Sequence, residues 1–213
     1  MKYKNIIWDW NGTLFDDIQI SVEAVNEMLS IKGYGKTVSY DRYREIFCFP
    51  VVEYYKKVGF DFSRHSFDEL AKLYVERYSE KQNSAALFDG AKSVLEEFKS
   101  NGINQTVISV CEKERLAYQV GLFGIEGYFS DVLGTDDNYA VSKVDIAKKY
   151  FSEVGINPRE VLFVGDTCHD YETACAVGCS CVLVGAGHQN KNVLKKTGAT
   201  VIDSLDCLKD YVI

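Results

Sequence analysis

Short apolar runs alternate along this chain with stretches of helical periodicity, and no other feature restricts its fold as tightly. Candidate strands lie at 4–9, Gln105–Ser109, Val161–Gly165, Cys179–Val184 and, as a short piece, Thr200–Ile202. Helix-like stretches at 89–100, 112–121, 142–154, 169–177, 189–196 and 204–211 fall between and after them. Asp89 before Gly90-Ala91, Gly102 after Asn101, and Gly155 ahead of Pro158 act as start and stop signals. Such alternation implies parallel strands joined by helical crossovers. The expectation is an α/β fold, a Rossmann-like parallel sheet core with helices on both faces.

One segment breaks the pattern. From Asp16 to about Ala85 no strand is legible, and the periodicity is helical at 16–32, 40–47, 51–58 and 66–81, with an interruption at Gly33-Tyr34-Gly35. Either Asp16 or Asp17 can cap the first of these helices. Tyrosine and phenylalanine are dense here (Tyr43, Phe47, Tyr54, Tyr55, Phe60 among them), as a small domain building its own core requires. Residues 1–15 with 85–213 are expected to form the α/β core, and 16–84 a small all-helical cap domain.

Composition narrows the partners. The net charge of −7 over 213 residues argues against nucleic acid, which wants a basic face. No apolar run approaches the ~20 residues of a membrane span, and Met1-Lys2-Tyr3-Lys4 leads straight into a strand without a signal peptide. The seven cysteines include no Cys-x-x-Cys pair and sit mostly in apolar stretches, so they read as reduced, buried side chains of a cytoplasmic protein.

Two strand ends carry the chemistry. Ile6-Ile7-Trp8 delivers Asp9 to the end of the first strand, where Asn11-Gly12 bends the chain; Val161-Leu-Phe-Val164 delivers Gly165-Asp166-Thr-Cys-His-Asp170. Open α/β sheets place their sites at the carboxyl ends of strands, and carboxylates gathered there suit Mg2+, which is held by one or two carboxylates plus phosphate oxygens and water. A phosphoryl-transfer site needs a nucleophile, a cation, donors for the phosphoryl oxygens and a cationic side chain. Asp9 can be the nucleophile. Gly12 and Thr13 offer backbone N–H groups in a tight loop. Ser109 brings a hydroxyl to the same edge, Lys143 an ammonium from the helix after Val141-Ser142, and Asp166 and Asp170 complete the cation site.

In this order, Asp9-Trp10-Asn11-Gly12-Thr13, then Ser109, Lys143 and Gly165–Asp170, the chain resembles the haloacid dehalogenase-like superfamily of phosphohydrolases. The branch it is similar to carries a helical cap after the first motif and includes phosphoglycolate-phosphatase-like and β-phosphoglucomutase-like proteins. The resemblance spans nearly the whole chain. It implies a Mg2+-dependent phosphatase acting on a small phosphorylated metabolite, with Asp9 as nucleophile. Mg2+ would be held by Asp9, Asp166 and the backbone carbonyl of Asn11, with Asp170 close by; Ser109 and Lys143 would hold the phosphoryl group.

Position 11 departs from the family, whose phosphatases usually carry there an aspartate that protonates the leaving oxygen and then activates water. An asparagine amide exchanges no proton at neutral pH, and general acid–base help is worth about 10²–10⁴ in rate. Three readings follow: a slower phosphatase preferring good leaving groups; another proton donor, with His169, Asp17 and His188 the nearest by position; or replaced chemistry. The last covers a non-hydrolytic phosphate-binding or regulatory protein and a phosphonatase-like C–P hydrolase needing a Schiff-base lysine (Lys32, Lys36, Lys56 or Lys57). Arg42, Arg44, Arg64 and His65 are candidate substrate contacts in the helical segment.

Overall fold

The computed structural model describes residues 2–136 and 142–212; Val141, which precedes the helix of Lys143, lies outside them. In chain order the elements are β1 (Asn5–Trp8), β2 (Phe15–Asp16), α1 (Ile18–Ile31), α2 (Tyr40–Ile46), α3 (Val51–Val58), α4 (Phe67–Lys81), β3 (Ala86–Leu87), α5 (Ala91–Ser100) and β4 (Asn104–Glu112). There follow α6 (Lys113–Leu122), β5 (Asp131–Thr135), α7 (Lys143–Val154), β6 (Val161–Gly165), α8 (Cys168–Val177), β7 (Ser180–Val184), α9 (Lys191–Leu194), β8 (Thr200–Ile202) and α10 (Lys209–Val212).

Six strands form one parallel sheet in the order β5-β4-β1-β6-β7-β8. Strand side chains alternate between faces, and here the alternation divides the core in two. Ile6 and Trp8 of β1, with Val107, Leu162 and Val164, pack against Val94, Leu95 and Phe98 of α5 and Leu116 and Val120 of α6. Ile7, Ile108, Val161 and Phe163 face the other way, onto Ala147, Tyr150 and Phe151 of α7 and Ala174 of α8. Both faces of a parallel sheet are thereby covered, which is why β1 and β6 read as unbroken apolar runs. The expected α/β architecture with helices on both faces is what the chain adopts.

Helices α1 to α4 form a block with its own apolar cluster: Ile18, Val22, Val25, Met28 and Leu29 of α1 meet Tyr43, Ile46, Tyr54, Tyr55, Val58 and Leu70. The aromatics of the segment are largely this block's core, as its composition suggests. Tyr78 packs instead with the sheet domain, and Tyr40 and Phe49 stand outside the block's cluster. The chain enters and leaves the block through a small antiparallel pair, Phe15 opposite Leu87 and Asp16 opposite Ala86.

Besides the unexpected β2–β3 pair, three features differ from the sequence reading. Strand β5 has no counterpart among the expected strands: it lies at a sheet edge, only its last residue is buried, and an edge strand needs no apolar run. The stretches 189–196 and 204–211 hold only single turns of α-helix, each joined to a 3₁₀ turn. All seven cysteines are free thiols, but six are half-buried and Cys175 is exposed, so they are less sequestered than their apolar neighbours suggest. No helix among the described residues is long and apolar enough to cross a membrane.

Candidate active site

Strand pairing brings the two acidic motifs together. Trp8 lies opposite Val164 in the β1–β6 register, and the Asp9 N–H donates to the Val164 carbonyl at 2.8 Å, so Asp9 and Asp166 emerge side by side. On the other flank Trp8 pairs with Val107 of β4, which carries Ser109 to the same edge. The loop after Asp9 is wound tightly around the Trp10 carbonyl, which accepts from the N–H groups of Thr13, Leu14 and Phe15. Gly12 turns it at φ +75°, and a Cβ there would lie 2.2 Å from Asp166 Oδ2. Glycine is obligatory at that point for conformation and for space. Gly187 has the same spatial role across the site, since its Cβ would fall 2.3 Å from that oxygen.

Asp9, Asp166 and Asp170 are buried and can each turn a carboxylate oxygen to within 4.8 Å of the others. Lys143, at the start of α7, reaches between them: its Nζ lies 2.7 Å from Asp9 Oδ1 and 2.6 Å from Asp170 Oδ1. The other oxygen of Asp170 accepts from the N–H groups of Asp166 and Thr167 and from the Thr167 hydroxyl. Its place in the sequence suggests a cap for a helix beginning after it. It is instead the third residue of α8, whose cap is Thr167, and it completes a capping box. Asp166 accepts from the Thr13 hydroxyl at 3.1 Å and from the His188 N–H at 2.6 Å. The Ser109 hydroxyl, buried, accepts from the Cys111 N–H at 3.0 Å and keeps its own proton to donate.

The expected anion nest is not formed in this conformation. The Gly12 N–H donates to the Phe15 carbonyl and to Asp17, and that of Thr13 to Trp10, so neither is turned toward Asp9. Asn11 and Asp17 hold each other: Asn11 Nδ2 lies 2.8 Å from Asp17 Oδ2. Although Asp17 stands at the N-cap of α1, its side chain makes no cap bond. It receives Asn11, Gly12, the Tyr78 hydroxyl and, at 3.2 Å, His188 Nε2. The other nitrogen of His188 meets the Tyr43 hydroxyl at 2.9 Å. Of the three alternative proton donors, Asp17 and His188 therefore reach the nucleophile loop. His169 does not: it lies against the Phe49 ring and 3.5 Å from Glu172.

The remaining candidates lie elsewhere. Lys32 pairs with Glu69, Lys36 with the Gly59 carbonyl, Lys56 with Glu53 and Lys57 with the Cys48 thiol, which engages every lysine considered for a Schiff base on the outside of the helical block. Arg42 pairs with Glu45, Arg64 lies over Tyr34 and His65 faces Glu69. Arg44 fastens the block to the sheet domain, donating to the Gly187 carbonyl at 2.7 Å and the Gly185 carbonyl at 2.6 Å. Gln189 adds a second tie, donating to the Phe47 carbonyl and accepting from the Cys168 N–H. Tyr43, Tyr78 and Gln189 carry no sequence signal; they come from segments whose register against the site only the fold sets.

Electrostatically the site wants a cation. Burial, then repulsion from Asp170, raises Asp9 well above the usual carboxylate range, against the pull of Lys143. Burial, opposed by His188 and reinforced by Asp170, pushes Asp166 up to about 6. Burial works against charge on His188 too, but the Asp17 carboxylate outweighs it and pushes the imidazole up to about 9. With all four buried carboxylates (Asp9, Asp17, Asp166, Asp170) ionised, they would outnumber the two cations, Lys143 and His188, by two charges, which a divalent ion would offset. An all-oxygen donor set of this kind suits Mg2+.

A pH dependence follows. An ordinary histidine titrates near 6.5, so the raised His188 contributes stability that is complete below about that pH and is lost as pH rises through about 9. Asp166, raised to about 6, acts with the same sign at lower pH. Thermal unfolding in the presence of a chelator should thus show the midpoint falling between about pH 6.5 and 9, and His188→Gln should flatten that slope. An unchanged slope in the variant would refute the assignment of the buried charge to His188.

The parallel sheet, flanked by helices, presents carboxylates from the ends of adjacent central strands, where open α/β folds keep their sites. The chain belongs to the haloacid dehalogenase-like hydrolase family, whose profile matches residues 6–184. Its curated relatives carry both phosphatase and protein-kinase names. It is 32% identical over 128 residues to a phosphoglycolate phosphatase of Yersinia pestis, covering 59% of this chain and 52% of the relative. It is 28% identical over 201 residues to the tyrosine-protein kinase PtkA of Mycobacterium tuberculosis, covering 92% of this chain and 67% of PtkA. The solved structure of PtkA superposes with a TM-score of 0.83 at 25% identity over 99% of this chain and 98% of that one. The haloacid dehalogenase-like hydrolase SP0104 of Streptococcus pneumoniae does so with 0.84 at 18%, over 99% of each chain.

Proposed function

We propose that this chain is a Mg2+-dependent phosphomonoesterase acting on a small phosphorylated metabolite through an aspartyl-phosphate on Asp9, with residues 16–84 as a cap over the site. The observation that carries the reading is the buried Asp9–Lys143–Asp170 array beside Asp166. Asp9 and Asp166, with the backbone carbonyl of Asn11, would hold the cation, which supplies charge compensation to the phosphoryl oxygens. Asp9 attacks phosphorus with one carboxylate oxygen as the bond to the leaving oxygen breaks. Ser109 donates to a phosphoryl oxygen, and Lys143, held by Asp170, faces the transferred group. The phosphoenzyme is then hydrolysed. Tyr43, Arg44 and Tyr78 tie the helical block to the loops around Asp9 and Asp166, an arrangement suited to excluding water during transfer.

Asn11 gives no proton to the leaving oxygen, so substrates whose leaving groups depart without one are favoured. p-Nitrophenyl and acetyl phosphate should be hydrolysed in the presence of Mg2+ and not with a chelator, and alkyl phosphates should be slower by about 10²-fold or more. No metal-dependent turnover of any phosphoester, with phosphate binding retained, would favour a binding protein instead. Asn11-Gly12 is prone to deamidation, and intact-mass analysis should confirm that the active molecules carry Asn11.

A second reading rests on the similarity to PtkA over 92% of this chain. In it the phosphoryl group passes to a tyrosine hydroxyl of a protein instead of to water. Incubation with labelled ATP and tyrosine-containing peptides separates the two, since only this reading predicts labelled peptide.

A further inference from the structure

Asn11 and Asp17 are six residues apart, on opposite sides of the tight turn that follows the nucleophile. Every acceptor position of the buried Asp17 carboxylate is used. Oδ2 receives Asn11 Nδ2 at 2.8 Å and the Tyr78 hydroxyl at 2.7 Å; Oδ1 receives the Gly12 N–H at 3.1 Å and His188 Nε2 at 3.2 Å. Tyr78 also touches Asn11 directly, at 3.1 Å. The donors come from three places: the nucleophile loop, helix α4 of the helical block, and the loop after β7. A carboxylate at position 11 could not stand where the amide does, because it would face Asp17 at hydrogen-bond distance with no proton between them.

We infer that Asp17 is the positioning residue of the nucleophile loop, and that asparagine at position 11 is its matched partner. Asp17 fixes the turn by gripping the Asn11 amide and the Gly12 N–H. Through Tyr78 it makes the shape of that turn depend on the seating of the helical block. Asn11 is therefore more than a missing acid: it is the donor that the loop's internal carboxylate requires. Exchange of the two side chains should preserve the contact with its polarity reversed, because an amide introduced at position 17 can donate to a carboxylate introduced at position 11.

The test is a double-mutant cycle of Asn11→Asp, Asp17→Asn and the swapped pair, with Tyr78→Phe as a variant that changes no charge. Each is read in three ways: unfolding midpoint, Mg2+-dependent affinity for beryllium fluoride (a mimic of aspartyl-phosphate), and kcat and KM for p-nitrophenyl phosphate. Each single charge change should lower kcat and beryllium fluoride affinity at least about tenfold with KM within about twofold. The swapped pair should recover both to within about threefold of wild type, and Tyr78→Phe, which takes one donor from a buried carboxylate, should lower kcat with KM within about twofold. Additive losses in the swapped pair, or a wild-type kcat and affinity in Asp17→Asn, overturn the inference. The kinetic and beryllium fluoride readouts rest on the proposed chemistry at Asp9, and the midpoint does not. A wild type with neither turnover nor beryllium fluoride binding defeats that proposed function alone, and the cycle is then decided by the midpoint, where additivity again overturns the inference.

Discussion

Asp9→Asn is expected to abolish turnover and at the same time to make the protein more stable. The catalytic loss follows from chemistry, since an amide oxygen is no nucleophile toward phosphorus and no other carboxylate stands at the end of β1. A fall in kcat of at least about 10⁴-fold is expected when the only nucleophile is removed. The gain in stability follows from the site's own electrostatics. Burial and the proximity of Asp170 penalise charge on Asp9, while Lys143 keeps Asp170 as a partner at 2.6 Å when Asp9 is neutralised. Each kcal/mol relieved raises the unfolding midpoint by about 2–4 °C in a domain of this size. Calorimetry in chelator, beside a phosphoester assay with Mg2+, checks both halves. Residual turnover above background, or a lowered midpoint, would count against the role given to Asp9.

Lys143→Met should have the largest effect on folding. The side chain is buried between Asp9 and Asp170 and is the sole side-chain cation in contact with either among the described residues. Its removal leaves desolvated carboxylates unpaired, and breaking a buried ion pair from one side costs about 3–5 kcal/mol. That corresponds to a drop of about 6–20 °C in the unfolding midpoint. Saturating Mg2+ should recover part of it, because a bound cation stabilises the folded state by mass action. A variant that unfolds at the wild-type temperature in chelator would show that the carboxylates are not held apart by Lys143.

The sheet and its order of elements were legible because buried parallel strands must be apolar on both faces, as Ile6-Ile7-Trp8 and Val161–Val164 are. The edge strand β5 obeys no such demand and left no run to see. The convergence of Asp9, Asp166, Asp170 and Lys143 was readable from their places at strand ends and at a helix start, since topology alone brings those places together. The side-chain cap expected at Asp17 is absent for a physical reason: an aspartate at a helix start reads as a cap, but donors elsewhere, here Asn11, Gly12, Tyr78 and His188, can claim the carboxylate. Asp170 does both, completing the capping box of α8 with one oxygen and meeting Lys143 with the other. The ties of Tyr43, Arg44 and Gln189 were illegible because they depend on how the helical block sits against the sheet domain, which no local pattern encodes. Arg44 looked like a substrate contact and proved to be a fastening to two glycine carbonyls.

The central claim is that Asp9 and Asp166, from distant parts of the chain, share one divalent cation at the point of attack. Crystals grown with Mn2+ in place of Mg2+, measured at the manganese absorption edge, test it most directly. One anomalous peak bridging the Asp9 and Asp166 carboxylates and the Asn11 carbonyl, lost in Asp166→Asn, is the result expected. Density there without anomalous signal, or Mn2+ found only at surface carboxylates, would contradict it.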